Sequence, residues 1–183
     1  MALNYLECDD YDALLTYMCD PCELVELGGV RSLCLVKKGV TVAVPLNLSA
    51  FTAQVESGDI IILPSTRGTF DGGTPKMVTG FGNQKERLSG HDYVLAVKAP
   101  NYAANAPFMA AIEKVEEWNL AFVTETQFHL CNSSATITTK APVEEALDSE
   151  VTWNIEAKWF SRNKPVLTPA SVIATLLKCF EIE

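Results

Sequence analysis

Histidines, basic residues and long apolar runs are all scarce in this sequence of 183 residues. Only two histidines are present, His91 and His129, so few side chains can serve as a general base near neutral pH. The apolar run at 60–63 is among the longest, and it is far too short to span a bilayer. The start of the chain has no basic residue and no small-residue cleavage site after an apolar core. We therefore expect no secretory signal and no membrane partner.

Positive charge is outweighed by negative charge. Lys and Arg number 14 against 23 Asp and Glu, which gives a net charge of -9. Tight binding to nucleic acid through phosphates needs clustered Lys and Arg, so this balance argues against it. An acidic chain could still lie beside nucleic acid in a role that requires it not to adhere. At 48% hydrophobic residues, the chain can bury a sizeable core, and its length fits one domain over 1–183.

Motifs of common catalytic sites are also missing. The run at 79–84 is the nearest approach to a phosphate loop, but it lacks the Gly-Lys-Ser/Thr ending and the strand-loop-helix context. The pattern Gly-x-Ser-x-Gly does not occur. Three acidic pairs stand at adjacent positions: Asp9-Asp10, Glu116-Glu117 and Glu144-Glu145. Adjacent side chains point apart, which fits a solvated surface, and both histidines are expected to be exposed. We therefore predict a protein that is not an enzyme and assign it no catalytic residue, cofactor or metal.

Cysteine spacing offers the one chemical pattern. The six cysteines are Cys8, Cys19, Cys22, Cys34, Cys131 and Cys179. Cys19-Asp20-Pro21-Cys22 has the spacing of half a zinc knuckle or of a thiol redox motif. A structural zinc usually needs two such pairs, whereas Cys8 and Cys34 stand alone, and a redox motif would not follow a helical segment. A zinc site at Cys8, Cys19, Cys22 and Cys34, a redox pair, and free thiols without a role all remain open.

The richest pattern is the stretch from Trp118 to Phe160, which contains all three tryptophans. In its last part, Val151, Trp153, Ile155, Ala157 and Trp159 alternate with polar residues, the period of a half-buried strand. In its first part, Trp118, Leu120, Phe122, Phe128 and Leu130 share one parity, so we expect them on one buried face. The polar face would then carry the following side chains: Glu125, Gln127, His129, Glu156 and Lys158.

Further strands are predicted at 30–36, 40–44, 60–63, 91–98 and 135–139, with a turn at 132–134. Helices are predicted at 9–18 and at 106–117, the second capped by Asn105. The segment 172–180 fits either a helix or a strand. Because strands outnumber helices and follow one another directly, the predicted fold is mainly β (α+β): an antiparallel sandwich or barrel with one packed helix. Residues 1–27 would form an N-terminal extension.

Glycines mark one segment of the predicted sandwich. Residues 65–90 contain six glycines and few large apolar residues, so this segment is either a long loop or a hairpin with strands near 66–70 and 77–81. A long loop in a compact domain is uncommon and usually serves binding. The segment is too polar to fold alone and could become ordered by joining a neighbour.

The order of these elements resembles the tail-tube family of bacteriophage virion proteins. The resemblance rests on the order of strand pairs, a Gly-rich arm, a strand, a single helix, and the two runs at 118–123 and 151–159. The pieces at 28–35, 68–73 and 84–90 are similar to structural proteins of phages that infect gut Bacteroidetes. The first 25 residues match least well.

The resemblance implies a sandwich that assembles into a sixfold or twelvefold ring, in which long loops reach neighbouring subunits. It implies a tail tube, tail hub or head–tail connector in the virion, assembled in the host cytoplasm and contacting adjacent tail or connector proteins. The genome would pass through the lumen without specific binding, and the polar face of the 118–160 stretch becomes a candidate channel or subunit surface. The alternative is a small β-sandwich binding module with a structural zinc at the N-terminal cysteines.

Overall fold

The structure is a computed structural model that describes residues 29–82, 85–142 and 151–170. Within these ranges the chain forms nine strands and two helices. In chain order the elements are β1 (Ser32–Lys37), α1 (Leu48–Glu56), β2 (Ile60–Leu63), β3 (Arg67–Phe70), β4 (Thr74–Val78), β5 (Arg87–Ala99), α2 (Tyr102–Ile112), β6 (Trp118–Val123), β7 (Gln127–Lys140), β8 (Trp153–Ser161) and β9 (Val166–Pro169). The prediction of a mainly β fold is confirmed. The predicted elements at 9–18 and 172–180, and the 1–27 extension, lie outside the described residues.

All strand pairs are antiparallel, in the order β2-β1-β6-β7-β8-β5-β3, with β4 added to β5 and β9 added to β7. The long strand β7 belongs to both halves of this sheet, since its start pairs with β6 and β9 and its end pairs with β8. Strand β3, the last in this order, also pairs with Val30, which lies just before β1 near the other end of the order. The N–H of Val30 donates to the carbonyl of Gly68 at 3.0 Å, and the N–H of Gly68 donates back at 3.2 Å. The sheet therefore folds over on itself.

The larger core lies between the two halves of the folded sheet, and α2 covers it with Met109 and Ile112. Tryptophan side chains attach this helix at both ends. The indole N–H of Trp118 donates to the carbonyl of Ile112 at 3.1 Å, and that of Trp153 donates to the carbonyl of Tyr102 at 2.9 Å. The predicted helix at 106–117 therefore has shifted boundaries. Asn105 is not its cap, because its side-chain amide donates to the carbonyl of Pro100 at 3.0 Å.

A second core covers the outer face of β1 and β6, and this face requires a helix that was not predicted. Helix α1 buries Phe51 against Phe128, with ring centroids 5.7 Å apart and planes at 84°. Asn47 caps the helix by accepting from the N–H of Ala50 at 3.2 Å. The fold therefore has two packed helices where one was predicted. Helix α1 has only nine residues and a single fully buried side chain, Phe51, which leaves little periodic signal.

The predicted strand at 40–44 is wrong for a related reason. This segment forms no strand and lies beside α1, where the side chain of Gln54 donates to the carbonyl of Thr41 at 3.0 Å. Val42 is buried in the second core and Val40 packs against it, while Val44 is exposed. Val40 and Val42 therefore cover a sheet face instead of pairing along an edge, and both arrangements produce the same apolar composition.

The expected single buried face at 118–130 is also wrong. Strand β6 is buried on both faces: Trp118, Leu120 and Phe122 lie in the larger core, and Ala121 and Val123 in the second. The chain then reverses, and Phe128 and Leu130 lie in the second core. The predicted turn at 132–134 is instead part of β7. Asn119 pairs with Ser134 and Leu120 with Cys131, so β7 carries two extra residues that form a bulge, the usual device for bending a strand from one half of a sheet to another.

The alternation predicted for the last part of the stretch is confirmed. Ile155, Ala157 and Trp159 of β8 are buried, while the intervening residues lie on the outer face. Strand β8 has a covered face and a solvated face, which is the situation that produces a period of two.

Candidate functional site

The Gly-rich segment at 65–90 forms β3, β4 and the start of β5. The strands predicted near 66–70 and 77–81 do not form a hairpin with each other, because β3 and β4 both pair with β5, and the hairpin observed is the one between β4 and β5. Strand β4 pairs with the first part of β5 from Thr74–Asp92 to Val78–Arg87, with an irregularity between Lys76 and Met77. We call the described residues of this hairpin, 74–82 and 85–90, the arm hairpin. Every residue of β4 is exposed, although the strand is held to β5 by five residue pairs. The hairpin is therefore ordered along its pairing edge while both of its faces meet solvent.

The base of the arm hairpin is held by two close contacts that only glycine permits. A Cβ on Gly73 would lie 2.2 Å from Cε1 of Tyr93, and one on Gly90 would lie 2.5 Å from Cζ of Phe160. The ammonium group of Lys76 then lies over the Phe160 ring, 5.5 Å from its centroid. These contacts attach the hairpin to β5 and β8, so its direction is set by the body of the protein.

Beyond this base, the arm hairpin exposes apolar side chains. Phe81 is 95% exposed, and Met77, Val78 and Leu88 are each about half exposed. Met77 and Leu88 are directly opposite each other in the β4–β5 ladder, so their side chains lie together on one face. We call Met77, Val78, Phe81 and Leu88 the apolar tip. Met77 and Leu88 lie on one face and Val78 on the other, and exposed apolar side chains on a projecting element are typical of a protein–protein contact.

Strand β4 also offers backbone groups. Within the part of the chain that the structure describes, β4 pairs only with β5, so its other edge presents unpaired N–H and C=O groups. Monomeric proteins usually shield such edges, because they add strands from other chains. The apolar tip and the open edge together make the arm hairpin suited to bind a neighbour by strand addition and apolar burial.

The predicted polar surface is divided by the fold. Glu125 pairs with Arg31 at 2.6 Å beside the β6–β7 turn. Glu156 and Lys158 pair at 3.0 Å on the outer face of β8, while Gln127 begins β7 beside β9. The five residues therefore do not form one surface, because β8 pairs with the far end of β7.

The two histidines are half-buried, whereas both were expected to be exposed. The His129 ring stacks on Phe122 with centroids 4.4 Å apart and planes at 11°. His91 lies 5.8 Å from the Tyr93 ring, at the base of the arm hairpin. Strand parity reverses across the β6–β7 turn, which places His129 on the inner side. Both imidazoles therefore act here as packing groups.

The cysteines that the structure describes are packing groups as well. Cys34 is fully buried in β1, opposite Ile62 and Ala121, and burial raises the pKa of its thiol to about 12. Burial likewise raises the pKa of the Cys131 thiol to about 12. A zinc ligand must be a thiolate, which this apolar surrounding disfavours. Cys8, Cys19, Cys22 and Cys179 lie outside the described residues, and the described residues include no cluster of three or more metal-binding side chains.

Comparison of the chain with protein-family models, with curated proteins and with solved structures finds no match. Neither described helix is long and apolar enough to cross a membrane. The arm hairpin is therefore the feature of the described residues that points most directly to a function.

Proposed function

We propose that this chain is a structural protein of a phage tail, a ring subunit of the tail tube, tail hub or head–tail connector that surrounds the DNA channel. The observation that carries the proposal is the arm hairpin, an ordered projection with an open strand edge and an exposed apolar tip. The resemblance in element order to tail-tube proteins supports the same role. A non-enzymatic virion protein needs surfaces for its neighbours and no catalytic pocket.

Burial of the apolar tip would supply the binding energy. Burying one large apolar side chain contributes about 1.5–3 kcal/mol. Phe81 is almost fully exposed and the other three side chains are about half exposed, so burial of the apolar tip would contribute roughly 4–8 kcal/mol. Backbone hydrogen bonds along the open edge of β4 would add to this contribution against the entropy lost on association. The same residues would be a solubility hazard in a protein that stays monomeric.

The asymmetry of the arm hairpin favours a ring. The arm is one surface of the subunit and would dock on a different surface of the next, which is a heterologous contact. Contacts of this type generate closed rings when the rotation between subunits closes, and filaments when it does not. A sixfold or twelvefold ring, stacked against adjacent tail or connector proteins, would give a tube with an arm across each junction. The DNA would pass through its lumen without specific binding, in a virion assembled in the host cytoplasm.

The zinc-module alternative has no observation in its favour. It needs Cys34 as a ligand, and this thiol lies in an apolar core with its pKa raised to about 12. Metal analysis of the purified protein tests it directly, since the alternative requires about one zinc per chain for the four thiolates.

Electron microscopy and analytical ultracentrifugation of the purified full chain test the ring proposal. We expect rings of uniform diameter and one rotational symmetry, in equilibrium with smaller species on dilution. Phe81→Ser should weaken assembly about tenfold to a hundredfold, because it removes the most exposed tip side chain.

The matched control is Leu167→Ser, which removes an apolar side chain that is 60% exposed on β9. It should leave assembly unchanged, since β9 is not part of the arm hairpin. A wild-type chain that stays monomeric at high concentration, or equal weakening by both substitutions, would overturn the proposal.

A further inference from the structure

Charge is distributed very unevenly along this chain. The described residues contain 13 Lys and Arg against 10 Asp and Glu, a net charge of +3. The remaining residues contain 1 Lys and 13 Asp and Glu, a net charge of -12, and the two parts together give -9. Residues 1–28 alone carry seven acidic side chains and no Lys or Arg. The acidic character of the whole chain is therefore not a property of the β body.

Several positive charges of the body converge on the outer face of one half of the sheet. Arg67 on β3 is directly opposite Lys98 on β5, Lys98 is opposite Asn154 on β8, and Asn154 is opposite Lys140 on β7. Directly paired residues in antiparallel strands have their side chains on the same face. These four side chains form a line across four strands, which we call the cationic row. At about 4.8 Å between strands, it is roughly 15 Å long.

The cationic row is not neutralised by the folded body. Arg67, Lys98 and Lys140 form no ion pair with any described residue, and the nearby Glu156 is paired with Lys158 at 3.0 Å. The row lies in a groove of about 550 Å³ on this sheet face. Like charges at directly paired positions are unfavourable. Such an arrangement is relieved by an anionic ligand.

A peptide fits this groove better than a simple polyanion. The side-chain oxygen of Asn154, in the middle of the row, is shielded from solvent and has no hydrogen-bond partner among the described residues, although the residue itself lines the groove. Once the Asn154 side chain turns toward the groove, a peptide offers backbone N–H donors for this oxygen as well as carboxylates for the cations. Nucleic-acid phosphates offer acceptors alone.

The start of the described chain lies beside the row. Val30 exchanges two backbone hydrogen bonds with Gly68, the residue that follows Arg67. The segment 1–28 is therefore attached next to one end of the groove. An extended chain spans up to about 3.3 Å per residue, so roughly five residues suffice to cross the row. Position and charge both match this segment to the groove.

We propose that the acidic segment 1–28 docks on the cationic row of its own chain and covers the outer face of β3, β5, β8 and β7. The docking is electrostatic, so it weakens as salt rises and is released when the cations of the row are reversed. It does not depend on ring assembly, because both partners belong to one subunit. Segment 1–28 thereby shields a face that would otherwise attract polyanions to the folded body.

Zero-length carbodiimide cross-linking of the full chain, followed by mass spectrometry, tests the docking. We expect Lys98 and Lys140 to couple to carboxylates of residues 1–28. An equal mixture of isotopically light and heavy protein shows whether the linked peptides come from one chain. Links only between differently labelled chains would overturn docking within a subunit, as would links to the acidic residues of 143–150 in place of 1–28.

Limited proteolysis of segment 1–28 provides an independent readout. The double variant Lys98→Glu and Lys140→Glu should raise its cleavage rate about fivefold at low salt, since two exposed charge contacts are lost. Raising the salt concentration should do the same to the wild-type chain. Lys114→Glu with Lys164→Glu is the control, because it makes the same change in net charge at exposed positions outside the row. Equal cleavage rates in both double variants would overturn the proposal.

Discussion

Within β3, Gly68→Ala should lower the free energy of unfolding more than any other substitution that adds or removes one methyl group. A Cβ at this position would lie 2.2 Å from the carbonyl oxygen of Ala96 and 2.7 Å from Cα of Val97. These are backbone atoms of the paired strand, so no side-chain rotation can relieve the clash. Strand β3 must move away from β5, and the two hydrogen bonds between Gly68 and Val30 are strained at the same time.

The expected cost follows from these two contributions. Overpacking at a closely packed position costs about 1–3 kcal/mol. Each lost backbone hydrogen bond adds about 0.5–1.5 kcal/mol. The sum, with both hydrogen bonds counted, is roughly 2–6 kcal/mol, a large part of the 5–15 kcal/mol that typically separates folded from unfolded domains. For a chain of this length it corresponds to a decrease in Tm of roughly 4–24 °C.

Urea unfolding followed by tryptophan fluorescence measures this cost, because Trp118, Trp153 and Trp159 all contribute to the larger core. Thr69→Ala is the control. Thr69 is the next residue along β3 and is exposed, so its truncation should change the free energy of unfolding by less than about 0.5 kcal/mol. A Gly68→Ala protein that unfolds within the same margin would refute the close approach of β3 to β5.

Three further predictions concern the second core, the end of α2 and the buried thiols. Phe51→Ala should cost about 3–5 kcal/mol in urea unfolding, against less than about 1 kcal/mol for the exposed Leu48→Ala on the same helix. Two donors on β7, a backbone N–H and a hydroxyl, lower the pKa of Glu113 from its ordinary value of 4.5. The stabilisation that the Glu113 carboxylate gives the folded state is therefore present above pH 4.5 and is lost as the pH falls through its folded-state pKa. Glu113→Gln should remove this contribution and so flatten the dependence of Tm on pH below 4.5. Cys34 and Cys131 should resist alkylation by iodoacetamide at pH 8 until urea unfolds the protein, as mass spectrometry of their peptides would show; labelling of either in the native state would contradict the burial.

Local patterns predicted those elements whose two faces have different surroundings. Strand β8 is the clearest case, because Ile155 and Ala157 face the core while Glu156 and Lys158 face solvent. The glycines at 65–90 similarly marked a projecting segment, since close backbone contacts such as those of Gly73 and Gly90 exclude every larger residue. The short apolar pieces near 66–70 and 77–81 were predicted to pair with each other, whereas β3 and β4 both pair with β5.

Local patterns failed where two surroundings give the same composition. Strand β6 is buried on both faces, so its sequence has no period that assigns Phe122 to one core and Val123 to the other. Val40 and Val42 cover a sheet face, and helix α1 fully buries only Phe51. The bulge at 132–134 has the polar residues of a turn. Its role in bending β7 depends on β6, which is its partner.

The sequence by itself determined the mainly β class, the buried face of β8 and the place of the arm, because each depends on neighbouring residues and on solvent. The tertiary structure decided which distant residues share a surface. Arg67, Lys98, Lys140 and Asn154 are far apart in the chain, and strand register alone places them in one cationic row. Register is set by long-range pairing and by bulges, and a shift of one residue would turn these side chains to the other face. The charge of the surface is therefore a property of the fold, even though the charge of the chain can be counted from the sequence.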